Sequence, residues 1–554
     1  MTSRARSAAA TVRPGLVIAA ALSAMVIALA IFALPAARAS AAPRTTPAPS
    51  RQAAASDTLE RMARAAFGDL APAELKLVRN APYRELHWTG PSSDPDDPSN
   101  NLAKASSWGA DRKIRAAVLA WLLTDPAAAK LVHPSGVGVA GARITGVFDL
   151  SYQVVTPPLT ILNSAIPDGI DLSYAHLADL DLRRSWTGTI DAEQAVIAGD
   201  VVLRLGRYDD VNFYRADLQG SLDCTGGHLI GDQPLSLVEA TIRGDALFHN
   251  GFETGGMLDF RLARVGQALS FNDARFTGTG DNGLDAERAT IRGALYWVKI
   301  GITPRTQLDL SGTQVGSLWD DAASWPAAGN LLITGFVYGD FSGGPGDADQ
   351  RLEWLDRQPQ AMLAQPQPYR QLATVLRANG AAEGATRVEV AKQTALTEYG
   401  GLPLSQRIWR LAMRVTIGYG YRPLRALWWV LGFVAVGTVL FRRGYQARLI
   451  TPTEASAYEA FCRGGAPPAH YPPFSSFIYS LENFLPVVDL HQGTYWRPNP
   501  RHRPTQGDAA CAAETGREAL RARMLRWYLW LHILAGWTIT PLLFAGLAGL
   551  LRND

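Results

Sequence analysis

From Ile170 onward the apolar positions of the chain return in a fixed pattern. Eight-residue windows beginning at Ile170, Ile190, Val211, Leu235, Leu258, Leu284, Leu308 and Leu331 align without gaps, at steps of 20 to 26 residues. Their third positions are Leu172, Ala192, Phe213, Leu237, Phe260, Ala286, Leu310 and Ile333, and their eighth positions are apolar throughout, from Leu177 to Tyr338. Positions one and three alternate with position two as the inward face of a strand does. The sixth position is alanine in six of the eight windows, Ala175 to Ala289, as a close-packed corner requires. A second series, Leu180/Leu182, Val201/Leu203, Leu222/Cys224, Leu269/Phe271 and Leu295/Trp297, alternates in the same way. The steps are too short for a helix pair or a propeller blade. They fit coils of a right-handed parallel β-helix, stacked about 4.8 Å apart so that each pairs its backbone with its neighbours. The pattern predicts a mainly β fold, with this solenoid over 136–345.

A solenoid exposes apolar edges at its two ends and needs lids. Ile114, Val118, Leu119 and Leu122 share one face of a predicted helix in an N-terminal cap region, 57–135. Tyr369, Leu372, Val375 and Leu376 form a similar stripe in a C-terminal cap and juxtamembrane helix, 346–422. Two uncharged runs, Ala426 to Phe441 and Trp527 to Leu551, predict a two-span membrane domain over 423–554. Between them Phe474, Phe477, Ile478, Leu481, Phe484 and Leu485 recur at helical spacing up to Pro486. This predicts an amphipathic or re-entrant helix at 474–490, too short to span. Glu482, Asp489 and His532 are the candidate residues of this domain, because an ionisable group at membrane depth is a functional candidate by default. A backbone carbonyl or water is the plain alternative partner for His532.

At the start of the chain, Gly15 to Leu34 is uncharged and follows Arg4, Arg6 and Arg13, and Ala37-Arg-Ala39 resembles a signal cleavage site. Residues 1–56 are therefore either a signal peptide or a membrane anchor, followed by an Ala/Pro-rich linker. Either reading exports the chain beyond the linker. Arg517, Arg521, Arg523 and Arg526 before the last run place the loop 442–526 in the cytoplasm, whereas Arg407, Arg410, Arg414, Arg422 and Arg425 oppose that orientation for the penultimate run. The leader and the last run together place the solenoid outside.

Composition narrows the chemistry. Fifty-three basic against fifty acidic residues leave a formal charge of +3, so no nucleic-acid partner is expected. Three cysteines exclude a four-thiolate metal or cluster site. Cys224 takes an inward position of the repeat. Gly278-Thr-Gly-Asp-Asn-Gly283 has dinucleotide-binding spacing but leads into Leu284, the next solenoid strand, where that motif needs a helix N-terminus. Thr416-Ile-Gly-Tyr-Gly420 copies a potassium-filter string without a span just upstream, and reads as a turn into the penultimate run. No catalytic residue, cofactor or metal is expected from these patterns. The outward second positions Asp171, Asp191, Asp259, Asp285 and Asp309, together with Asn212 and Ser236, form a column that is the candidate interaction face for a cationic partner or Ca²⁺. Arg243, Arg261, Arg264, Arg288 and Arg292 lie near enough to neutralise it.

Ala178-Asp-Leu180 and Ala216-Asp-Leu218 resemble the central triplet of the pentapeptide-repeat superfamily, although the irregular steps depart from a strict five-residue period. Trp325-Pro326, Gln367-Pro-Tyr369, Gly418-Tyr-Gly-Tyr-Arg-Pro423 and Leu485-Pro-Val-Val-Asp-Leu490 resemble a family of actinobacterial membrane proteins often labelled membrane-associated oxidoreductases. That resemblance implies membrane attachment and, by its label alone, redox activity. The expectation from the residues is a membrane-anchored scaffold of the cell envelope. It would contact the bilayer and a protein or envelope-polymer partner, with an oligomer allowed. An oxidoreductase, or a two-span channel-like protein, is the alternative.

Overall fold

The computed structural model describes residues 51–548 apart from 232, 279–281, 342, 464–465 and 500–514. The leader and Cys511 lie outside the described residues. Residues 137–338 wind into a parallel β-solenoid of about nine coils. One coil shows the construction: the two-residue strands Ile170–Asp171, His176–Leu177, Leu180–Asp181 and Trp186–Thr187 form four sides before the chain returns at Ile190–Asp191. Each side pairs in parallel with the same side of the next coil, Ile170 with Ile190, Leu177 with Ile197, Leu180 with Val201 and Trp186 with Arg207. The first side builds a nine-stranded ladder from Phe148 to Leu332.

The aligned windows fall in register along this ladder. Asp171 stacks on Asp191, then Asn212, Ser236, Asp259, Asp285 and Asp309. The alanine column lies in the dry interior, with Ala175, Ala195, Ala216, Ala240, Ala263 and Ala289 all buried. Where Thr313 replaces alanine, its hydroxyl donates to the Ala286 carbonyl at 2.5 Å, so the buried polar group is satisfied. The interior changes along the rod from aliphatic to aromatic. Phe248, Phe260, Phe271, Phe276 and Trp297 pack ring against ring at 5.3–6.4 Å, and the Trp297 indole N–H donates to the Ser324 carbonyl at 2.7 Å.

Both ends are closed. Helices α1 (Arg51–Phe67), α2 (Pro72–Asn80) and α3 (Ala116–Thr124) cover the first coils, and Ile114, Val118, Leu119 and Leu122 are completely buried there. At the far end α4 (Ala348–Leu355), α5 (Pro366–Ala378) and α6 (Ala382–Tyr399) bury Tyr369, Leu372, Val375 and Leu376. A buried ion pair fixes this lid. Arg351, on α4, reaches both carboxylate oxygens of Asp320 at 2.7 and 2.6 Å, and the Trp325 indole donates to the same carboxylate at 2.8 Å.

Beyond the lid come α7 (Leu404–Ile417), α8 (Arg425–Gln446), α9 (Ala455–Cys462), α10 (Ser476–Phe484), α11 (Gln492–Tyr495) and α12 (Thr515–Leu547). Two helices, Arg425–Gln446 and Ala519–Leu547, are long and apolar enough to cross a membrane. The short helix differs from its predicted form: α10 ends at Phe484 and buries Tyr479, Ser480 and Phe484, while Phe477 is exposed. Of the predicted stripe, Phe474, Leu481, Phe484 and Leu485 pack inward while Phe477 faces out, because α10 lies between α8 and α12 and approaches them at Gly437 and Gly536.

Candidate functional site

The five predicted aspartates stand in one column on the rod's flank, but each is half-buried and has structural work to do. In every copy the Asp Oδ1 accepts the amide N–H two residues on: Ser173 at 2.9 Å, Glu193 at 3.2 Å, Arg261 at 3.1 Å, Glu287 at 3.1 Å and Ser311 at 2.8 Å. Asn212 does the same for Tyr214 at 3.0 Å. These Asx turns make the corner of each coil. The residue after the bonded amide then takes a left-handed conformation, with φ of 54–61° at Tyr174, Gln194, Arg215, Glu239, Leu262 and Arg288, and glycine doing so at Gly312 and Gly335. Asp149, one rung before the first window, extends the column and binds Ser151 N–H at 2.8 Å.

Charge along the column is uneven. At its far half Arg261 lies 2.6 Å from Asp259 and 3.7 Å from Asp285. Arg243 turns instead to Asp217 at 2.9 Å, and Arg288 to its neighbour Glu287 at 3.5 Å. Burial, aided by the Asp309 and Asp259 carboxylates on adjoining rungs, raises the Asp285 carboxyl above the usual range. At the near half a shallow depression of 320 Å³ is lined by Asp168, Asp171, Asp191 and Asp209 with Val147, Pro167 and Thr189, and no basic side chain lines it. Burial likewise raises the Asp209 carboxyl. An adjoining depression of 520 Å³ holds Asp210, Asn212, Tyr214 and Gln233. Asp168, Asp209 and Asp210 sit in corner loops outside the aligned windows, so the repeat alone could not find them. They stand just before the windows at Ile170 and Val211, and the windows at Ile190, Leu235, Leu258, Leu308 and Leu331 have no acid in the two preceding positions, so no repeated signal marked them. Among the described residues no group of three or more His, Cys, Asp or Glu side chains is placed to hold a metal ion.

The three membrane-domain candidates differ in role. His532 is fully buried between Phe433, Phe441 and Phe484; its Nε2 lies 3.0 Å from the Ser480 carbonyl and 3.3 Å from the Ser480 hydroxyl. It pins α10 to α12. Glu482 accepts the amide N–H groups of Gln492 at 2.7 Å and Gly493 at 3.0 Å, capping α11. Asp489 is exposed and pairs with His491 at 2.9 Å.

The filter-like string is an elbow. Gly418 ends α7 with φ 55°, Tyr419 follows with φ 58°, and the turn is clamped to α6 by Arg422–Glu383 at 2.5 Å and by the Tyr421 hydroxyl, which donates to Glu389 at 3.3 Å. Of the other motifs, Asn282–Asp285 is a solenoid strand paired with Thr306–Asp309, with residues 279–281 outside the described set. Cys224 is buried, which pushes its thiol well up, and Cys462 is disulfide-bonded. Set against known proteins, the chain matches no family model, and no curated protein and no solved structure is similar enough to be significant.

Proposed function

We propose that the protein is a membrane-anchored scaffold of the cell envelope whose rigid solenoid offers the acidic depression around Asp168, Asp171, Asp191 and Asp209 to a basic protein or envelope polymer. The single observation that carries this reading is the contrast along one face, arginine-paired at Asp259 and Asp285 and unpaired by any lining cation at the near end. The half-buried Asp171, Asp191 and Asp209 and the exposed Asp168, beside Val147 and Pro167 and with Arg207 near Asp209, favour a cationic ligand. Anchoring is supported by the two apolar helices and by α7, whose Leu404, Ile408, Leu411 and Val415 are 49–73% exposed in one stripe. Four-sided coils of 20 and 21 residues at 170–210, four times a five-residue unit or close to it, support kinship with pentapeptide repeats. The resemblance of Gly418-Tyr-Gly-Tyr-Arg-Pro423 and Leu485-Pro-Val-Val-Asp-Leu490 to motifs of an actinobacterial membrane family is in keeping with the same attachment.

For the side of the membrane, the basic loop 442–526 and the leader favour an outer solenoid, and the disulfide at Cys462 pulls the other way, toward an oxidising compartment around that loop. We adopt the outer solenoid. Single cysteines at Ser236 and Thr505, labelled in intact cells with an impermeant reagent, test it: reaction at Ser236 alone is expected, and reaction at Thr505 alone reverses the topology. For the interaction face, Asp171→Asn with Asp191→Asn keeps the turn acceptors and removes two charges. A partner retained from envelope extracts should be lost with this pair and kept with Asp259→Asn plus Asp285→Asn. Equal retention by both would remove the acidic face from the proposal.

A further inference from the structure

The hairpin between α8 and α12 leaves irregular chain in an unusual place. α10 runs inward until the Phe484 ring stacks on Phe433 at 5.5 Å and its carbonyl meets Gly536, where an added Cβ would stand 1.7 Å away. Phe433 and Gly536 are near the middles of the two apolar helices. The chain then returns from Leu485 to His491 without a helix. Val488 N–H reaches the Leu485 carbonyl at 3.2 Å and His491 N–H the Asp489 carboxylate at 2.9 Å. Val487 is 83% exposed, and the side chains of Asp489 and His491 are 72% and 68% exposed. Glu482 ties the far end of this limb to α10 through Gln492 and Gly493.

This inference rests on the membrane reading above. If α8 and α12 cross the bilayer, the limb lies at hydrocarbon depth with peptide groups and an acid–imidazole pair turned outward. Each unsatisfied peptide group there costs several kcal/mol, and irregular backbone at that depth persists only where protein covers it or water fills a cavity beside it. The described residues of a single chain leave Val487, Asp489 and His491 uncovered. We infer that Leu485–His491 is an interface between copies of this chain, packed limb to limb. The limb's carboxylate and imidazole pair at 2.9 Å within one chain, and a two-fold axis sets two such pairs head to tail, so that each Asp489 also faces the His491 of the other copy. The chain's own apolar run Gly15 to Leu34 offers only Ser23 as a polar side chain, a poor match for that pair.

The test uses the full chain in native membranes. Val487→Cys, oxidised in place, should yield a disulfide-linked species of twice the chain's mass, whereas Val436→Cys on the exposed side of α8 should not. Asp489→Asn should lower the linked fraction about fivefold, the factor that 1 kcal/mol represents, and the exchange Asp489→His with His491→Asp should restore it. A spin label at residue 487 in nanodiscs holding one chain each supplies the second measurement. Monomeric protein whose label is reached by oxygen and shielded from aqueous reagents overturns the interface alone. So does a disulfide formed within one chain between Val487→Cys and a second cysteine placed at Ser23 in the leader. Aqueous labelling of Leu431→Cys and Leu534→Cys would overturn the membrane reading and this inference together.

Discussion

Each aspartate of the column does two things that pull against each other. Its oxygen holds the corner amide, a bond contributing about 1 kcal/mol, while its charge faces like charges one rung away, a repulsion of about 1 kcal/mol per neighbour even in water. Asn212 shows the resolution, keeping the turn bond to Tyr214 and donating to Asp191 at 2.9 Å. Asp285→Asn should therefore raise the unfolding temperature at neutral pH, and Asp285→Ala, which loses the acceptor as well, should end at or below the parent. Because burial raises the Asp285 carboxyl, the folded chain holds that proton to higher pH than the unfolded one, so the gain from Asn should shrink as pH falls. Thermal scans at two pH values check both. The sequence was legible here for position but not for role: alternation gave the inward and outward faces, yet an outward Asp reads as free charge. Asn212 and Ser236 in the same column were the missed signal, since both types form the same turn. His87 carries a different pH effect. Burial, with Lys76 nearby, lowers its pKa from 6.5 to about 4, so the unfolded chain takes up the proton first as pH falls. The N-terminal cap keeps its full stability above about pH 6.5 and should lose about 2 kcal/mol by pH 4, allowing for the solvent that reaches the ring. Hydrogen exchange of α1 and α2 across that range should show it, and His87→Gln should flatten the slope.

At the scale of elements, close approach decides what packs and ionic groups decide what stays closed. The C-terminal lid rests on Arg351, wholly buried against Asp320. Asp320→Asn leaves a guanidinium without its counter-charge in a dry site, and breaking such a pair costs about 3–5 kcal/mol. Accelerated exchange across α4 to α6, with the central coils unchanged, is the expected outcome. α10 depends instead on missing side chains. A Cβ at Gly536 would collide with the Phe484 backbone, while one at Gly437 would meet the Ser480 hydroxyl at 2.3 Å and the His532 ring at 2.9 Å, both side-chain atoms. Gly536→Ala should thus displace α10 and open the 485–492 limb to protease more than Gly437→Ala does. The caps were legible because their apolar stripes face one large core. α10 was not, because its own pattern is apolar on several sides and its partners' glycines, far away in sequence, choose the face.

Across the whole molecule, the rod and the apolar helices are joined by a short rigid bridge rather than a linker. α6 belongs to the C-terminal lid, Arg414–Glu398 at 3.6 Å and Arg422–Glu383 hold α7 and the elbow to it, and the buried Glu389 gathers the buried Lys392, the half-exposed Arg377 and Tyr421. The apolar stripe of α7 continues toward the exposed Leu427, Trp428 and Leu431 of α8, so a bilayer that receives α8 would receive α7 along its surface. Lipid contact at α7 would then set the angle at which the solenoid leaves the membrane, and hence which way its acidic depression points. A spin label at Ile408 in nanodiscs should report a position in the headgroup region, and serine at Leu404, Ile408, Leu411 and Val415 together should broaden the distances measured between residue 236 and α8. A label at Ile408 fully exposed to water, with unchanged distances in the serine variant, would leave the bridge to the ion pairs alone. Glu383→Gln with Glu398→Gln should then loosen the rod in its place.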